Sequence, residues 1–192
     1  MRKPLTIILA ISFFAMAVLT VGVLLLYKPG KGGILPNLGQ APEFSLTDAT
    51  NQIFSSKDLE GKIWVADFFF STCAGPCPTM GANMQKIHNR FPDEKLRLVN
   101  FTVYPSHDTP EVMARYGAKF KADLSRWHFL TGEAEELLRI SVKGFKIGDP
   151  EELFNHSRKF VLVDGTGAIR GYYDGTLDDE VEELMRAIQT LM

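Results

Sequence analysis

Ile63-Trp64-Val65-Ala66-Asp67-Phe68-Phe69-Phe70 runs directly into Ser71-Thr72-Cys73-Ala74-Gly75-Pro76-Cys77-Pro78. The first eight residues are almost continuously apolar and rich in aromatic side chains. A run this short and this apolar fits a central strand buried on both faces. Beyond the turn, Met80, Met84, Ile87 and Phe91 repeat at helical spacing and Pro78 suits a first turn, so 78–91 reads as a helix. The stretch is therefore a strand, a turn that holds both cysteines of the chain, and a helix start.

Working outward, Phe44–Leu46 reads as a short strand and Leu96–Tyr104 as another. Asp108-Thr109-Pro110-Glu111 is a helix start, with Val112, Met113, Tyr116 and Phe120 on one face. Trp127–Leu130 reads as a strand, Glu133–Val142 as a helix, and the polar stretch Lys143–Asn155 as a loop. Phe160–Val163 and Ile169–Tyr173 flank Asp164-Gly165-Thr166-Gly167, a hairpin signal. Asp178–Met192 closes the chain as a helix with Val181, Leu184, Met185, Ile188 and Leu191 inward. Strands alternating with helices predict an α/β fold. Its central sheet is mostly parallel, with flanking helices and a terminal β-hairpin plus helix. That is a thioredoxin-like pattern.

The 192 residues suit about one domain. Leu5 to Tyr27 is 23 residues without charge. At about 1.5 Å per residue such a helix spans roughly 34 Å, matching a hydrocarbon core of about 30 Å. Arg2 and Lys3 precede it, which keeps the N-terminus cytoplasmic and places the rest on the extracytoplasmic side. Ala15-Met16-Ala17 is the alternative, a signal-peptide cleavage site that would still export the domain. The expected organisation is a transmembrane anchor over 1–27, a Gly- and Lys-rich linker over 28–37, and one domain over 38–192. The net charge of −2 carries no basic footprint, so nucleic acid is not an expected partner.

Both sulfurs sit at the carboxyl end of a strand and at a helix start, where ligands gather and thiolates are favoured. A disulfide here would close only a ring of about five residues, worth roughly 2 kcal/mol, so a purely stabilising bridge is disfavoured. Dithiol exchange and metal binding remain open. Two thiolates with one imidazole would suit Cu(I), and the closed four-ligand set of structural zinc is absent. Of the four histidines, His88 lies on the Pro78 helix and reads as outward or sideways. His107 reads as a helix-start residue, and His128 as packed within a strand. His156, in Asn155-His156-Ser157-Arg158, precedes the hairpin, a segment that faces the cysteine turn in thioredoxin-like folds. Met80 and Met84 match the core face and read as packing rather than thioether ligands.

The anchor, the CxxxCP turn after an aromatic strand, Asp108-Thr109-Pro110, and the histidine before Phe160-Val161-Leu162-Val163-Asp164 together resemble the Sco (SenC-type) copper proteins. The resemblance spans roughly Leu38 to Met192. It implies a thioredoxin-like domain that binds one copper, Cu(I) or Cu(II), through Cys73, Cys77 and His156. It implies a role in assembling the dinuclear copper centre of cytochrome c oxidase, with a copper-accepting oxidase subunit as partner. It leaves open a thiol–disulfide oxidoreductase using Cys73 and Cys77. Two positions depart from the family pattern. Ala74 stands where a proline is usual after the first cysteine, and Tyr104-Pro105 where Asp-Pro is usual.

Overall fold

The computed structural model describes Met16 and residues 34–148 and 157–192. Its strands are β1 (Ser45–Asp48), β2 (Ile53–Ser55), β3 (Ile63–Phe69), β4 (Leu96–Thr102), β5 (Trp127–Thr131), β6 (Lys159–Val163) and β7 (Ile169–Asp174). Its α-helices are α1 (Cys77–Arg90), α2 (Pro110–Lys119), α3 (Ala134–Leu138) and α4 (Asp178–Leu191). The strands form one sheet in the order β2-β1-β5-β4-β3-β6-β7.

Only the centre of this sheet is parallel. β3 pairs with β4 and β4 with β5 in parallel, each crossover carried by a helix. The other four pairings are antiparallel. The expected mostly parallel sheet is thus corrected to a mixed one: hairpins build both margins, and short turns permit only antiparallel neighbours. β2 was not expected from sequence, because three residues are too few to show an alternation.

All seven residues of β3 are buried, as the apolar run predicts. Side chains alternate across the sheet. On one face Ile63, Val65 and Phe69 meet Met80, Met84 and Ile87 of α1, Met113 and Tyr116 of α2, and Val181, Leu184 and Ile188 of α4. On the other, Trp64, Ala66 and Phe68 meet Phe44, Leu137, Ile140 and Phe145. Met80 and Met84 are core residues, as their spacing indicates.

The expected helix over Glu133–Val142 is α3 continued by a π-helical turn, Arg139–Gly144. The expected Lys143–Asn155 loop is therefore corrected at its start. Lys143 and Gly144 complete that turn, and Phe145 is fully buried, edge-on to Trp64 and Phe68 with ring centroids 5.8 Å away in each case. One aromatic side chain outweighs the polarity of its neighbours. Among the described residues no helix is long and apolar enough to cross a membrane. Leu5–Tyr27, apart from Met16, and residues 149–156 lie outside the described residues.

Candidate metal and thiol site

β3 ends at Phe69, and the Cys73 N–H donates to the Phe70 carbonyl at 3.1 Å, turning the chain. Pro76 caps α1, Cys77 opens it, and the Met80 N–H donates to the Pro76 carbonyl at 3.0 Å. Prolines at 76 and 78 cost no hydrogen bond here, since first-turn N–H groups lack helical partners. Neither cysteine is in a disulfide, and the two thiols are near enough that Cys73 acts on Cys77. Cys77 is 1% exposed, whereas Cys73 is half-buried.

Burial pushes the Cys77 thiol well up. The neighbouring Cys73 adds to this, and a hydrogen bond with the Phe70 backbone opposes it. The helix start was expected to favour thiolate; at Cys77 desolvation outweighs the dipole. Asp67, one face-turn below on β3, is 1% exposed. Burial raises its carboxyl well above the usual range, only partly offset by the Phe68 backbone and Asn100. Asn100 Nδ2 donates to Asp67 Oδ2 at 2.8 Å, and Trp127 Nε1 donates to Asn100 Oδ1 at 2.6 Å. A polar chain therefore crosses β5, β4 and β3 beneath the cysteine turn. Burial also raises the Tyr116 phenol, and the nearby Asp67, Cys77 and Cys73 act in the same direction.

Asp108 forms the adjoining wall and is fully buried. It accepts from the Ser71 N–H (3.1 Å to Oδ2), the Ser71 hydroxyl, Thr102 Oγ1 (2.6 Å) and His107 Nδ1 (3.0 Å). One carboxylate so ties the end of β3 to the end of β4 and the start of α2. Sequence reading placed Asp108 in a helix start but did not foresee this cluster. Its one available signal is that parallel β3 and β4 end side by side, which brings Ser71 towards Asp108.

The histidines divide clearly. His88 is buried rather than outward: its Nε2 lies 3.4 Å from Arg126 Nη2, and its ring centroid is 5.5 Å from Trp127. His128 is packed as expected, stacked on Phe54 at 4.0 Å. His107 stands beside Ser71. His156 lies outside the described residues. Among the described residues, no three His, Cys, Asp or Glu side chains come together as a metal cluster. The described donor set is thus two neighbouring free thiols. Soft sulfur donors of this kind fit copper, and two alone leave a ligand position to be filled.

The SCO1/SenC family model matches residues 36–192. An SCO1/SenC family lipoprotein from Bacillus anthracis is 34% identical, with a TM-score of 0.71, over 79% of this chain and 94% of that one. BsSco, a member of the Sco family of cytochrome c oxidase assembly proteins in which a disulfide switch was identified, is 25% identical with a TM-score of 0.71, over 82% and 96%. Copper-bound ScoI from Bradyrhizobium japonicum, 20% identical, shares the fold with a TM-score of 0.67 over 80% and 100%. With a family match covering the strand, the cysteine turn and the hairpin alike, the chain belongs to the SCO1/SenC family.

Proposed function

We propose that this protein is a membrane-anchored copper chaperone that carries one copper on Cys73, Cys77 and His156. Its copper would go to the dinuclear centre of cytochrome c oxidase. The observation that carries the reading is the pair of reduced thiols on one turn at the carboxyl end of the sheet, one buried and one reachable. Family membership and the copper held by the Bradyrhizobium relative support it. The β6 register supports His156: Trp64 lies opposite Val163 and Ala66 opposite Val161, so the start of β6 runs towards the cysteine end of β3. The segment leading into that start carries His156.

The buried Cys77 would hold copper away from water. The half-buried Cys73 would be the sulfur that an acceptor's ligand meets first. Loading displaces the thiol protons, so uptake releases acid and weakens as pH falls. The Leu5–Tyr27 run would tether this chemistry to the extracytoplasmic membrane face.

Anaerobic Cu(I) titration of reduced full-length protein tests the ligand set. Wild type should bind about one Cu(I) per chain. Cys73→Ser, Cys77→Ser and His156→Ala should each lose tight binding, and His88→Ala should not. Retention by His156→Ala would remove that histidine from the set. Carbonate extraction and protease access in membranes test the anchor; release as a soluble form would refute it.

A second reading, thiol–disulfide exchange by the same pair, is favoured by two free thiols on one turn, one of them reachable. Reduction of an oxidised substrate peptide by copper-free protein, lost in both Cys→Ser variants, would support it.

A further inference from the structure

His107 has a geometry that its place at a helix start does not require. Its Nδ1 lies 3.0 Å from Asp108 Oδ1 and 3.3 Å from Ser71 Oγ. The Ser71 hydroxyl gives its proton to Asp108, so the remaining contacts call for a proton on Nδ1 of the imidazole. That leaves the lone pair of the neutral ring on Nε2. The ring stacks on Tyr104 at 5.2 Å and 16°, and the side chain is 41% exposed. Ser71 stands two residues before Cys73 on the same turn. An imidazole oriented through one nitrogen by a buried carboxylate, on a side chain this exposed, is the arrangement of metal-binding histidines. The Ser71, His107 and Asp108 array does not suit hydrolysis, because serine and histidine both address the same carboxylate and the ring nitrogen facing the hydroxyl carries a proton, leaving it no lone pair to activate the serine.

We infer that His107 is a copper-capture ligand at the rim of the cysteine turn, taking copper through Nε2 before it passes to Cys73. This rests on the copper reading given under "Proposed function". In the transfer the Cu–Nε2 bond breaks as the Cu–Sγ bond forms, the Cys73 thiol proton goes to solvent, and no electron changes hands. His107 is thus a kinetic ligand, whereas Cys73, Cys77 and His156 hold the metal at rest.

The test follows Cu(I) uptake by reduced full-length protein from the coloured Cu(I)–bicinchoninate complex, in stopped flow. His107→Ala should slow uptake about tenfold and leave the endpoint at about one copper per chain. His107→Gln can still hydrogen-bond Asp108 but offers no imidazole, and should be equally slow. In a Cys73→Ser/Cys77→Ser background, excess Cu(I) should shift the His107 Nε2 signal in 15N NMR. Unchanged uptake in His107→Ala, or full rescue by His107→Gln, would reduce His107 to a structural role and overturn the inference. Wild type that takes up no copper would overturn the copper reading itself, and this inference with it.

Discussion

Cys73 and Cys77 share a turn but not an environment. Cys77 is buried and its thiol is pushed up by desolvation, while Cys73 keeps access to solvent. Brief iodoacetamide treatment of reduced protein at neutral pH should therefore label Cys73 first, read by peptide mass spectrometry. Labelling of Cys77 ahead of Cys73 would contradict the burial argument. Asp67 makes a second residue-level case. Its native carboxyl value is raised, so folding disfavours the charged form. The cost is absent below the usual carboxylate range, grows as pH rises through it, and stays constant above the raised native value. Asp67→Asn keeps an acceptor for Asn100 and removes the ionisable group whose burial is costly. It should stabilise the protein at pH 7 by about 1–3 kcal/mol and give no gain at pH 3. Urea unfolding at the two pH values checks this, and equal stability of both proteins at pH 7 would sink it.

The elements differ in how far the sequence announced them. β3, α1, α2 and α4 were legible because long apolar runs or helical spacing overdetermine them. β2 and the π-helical turn were not, because three strand residues and a single Phe145 leave no period. His88 faces sideways rather than outward, because the side of α1 that carries it is covered by Arg126 and by Trp127 of β5, which the α1 sequence alone does not show. The cysteine turn was legible because both sulfurs lie together in sequence, whereas Ser71 and Asp108 meet only through parallel pairing of β3 and β4. Close approach of elements also sets the next prediction. A Cβ on Gly117 of α2 would lie 2.7 Å from the ring of Phe129 in β5, and that ring is fully buried. Alanine improves helix propensity by up to about 1 kcal/mol, but the overpacking costs about 1–3 kcal/mol. Gly117→Ala should therefore lower the thermal midpoint, and because α2 begins just after Asp108 it should also speed alkylation of Cys73. A raised midpoint would show that Phe129 can yield.

At the scale of the whole molecule, two sets of groups make stability depend on pH in separate windows. Burial lowers both His88 and His128; Arg126 adds to this at His88 and Asp123 opposes it, while Asp48 opposes it at His128. His128 Nδ1 lies 3.7 Å from Asp48 Oδ2, beyond hydrogen-bond length, and neither ring nitrogen has a hydrogen-bond partner. Unfolded histidines take up protons near pH 6.5 and these native ones resist, so stability is flat above about pH 6.5 and falls as pH drops below it. Asp164 and Asp174 act lower. Burial alone would raise them, but hydrogen bonds from Thr166 and Arg170 and from Thr176 respectively hold them below the usual carboxylate range. Their contribution is present above about pH 4 and is lost as pH falls through their depressed native values. Asp67 opposes the upper limb, because its burial cost is relieved as pH falls towards the carboxylate range. In an Asp67→Asn background the curve of thermal midpoint against pH should therefore show two descending limbs, one starting near pH 6.5 and one below about pH 4. His128→Phe retains the stacked contact with Phe54, removes two unsatisfied nitrogens, and should flatten the upper limb while leaving the lower one in place. An upper limb unchanged in that variant, measured by calorimetry between pH 7 and pH 5, would mean that His128 is not one of the groups behind it.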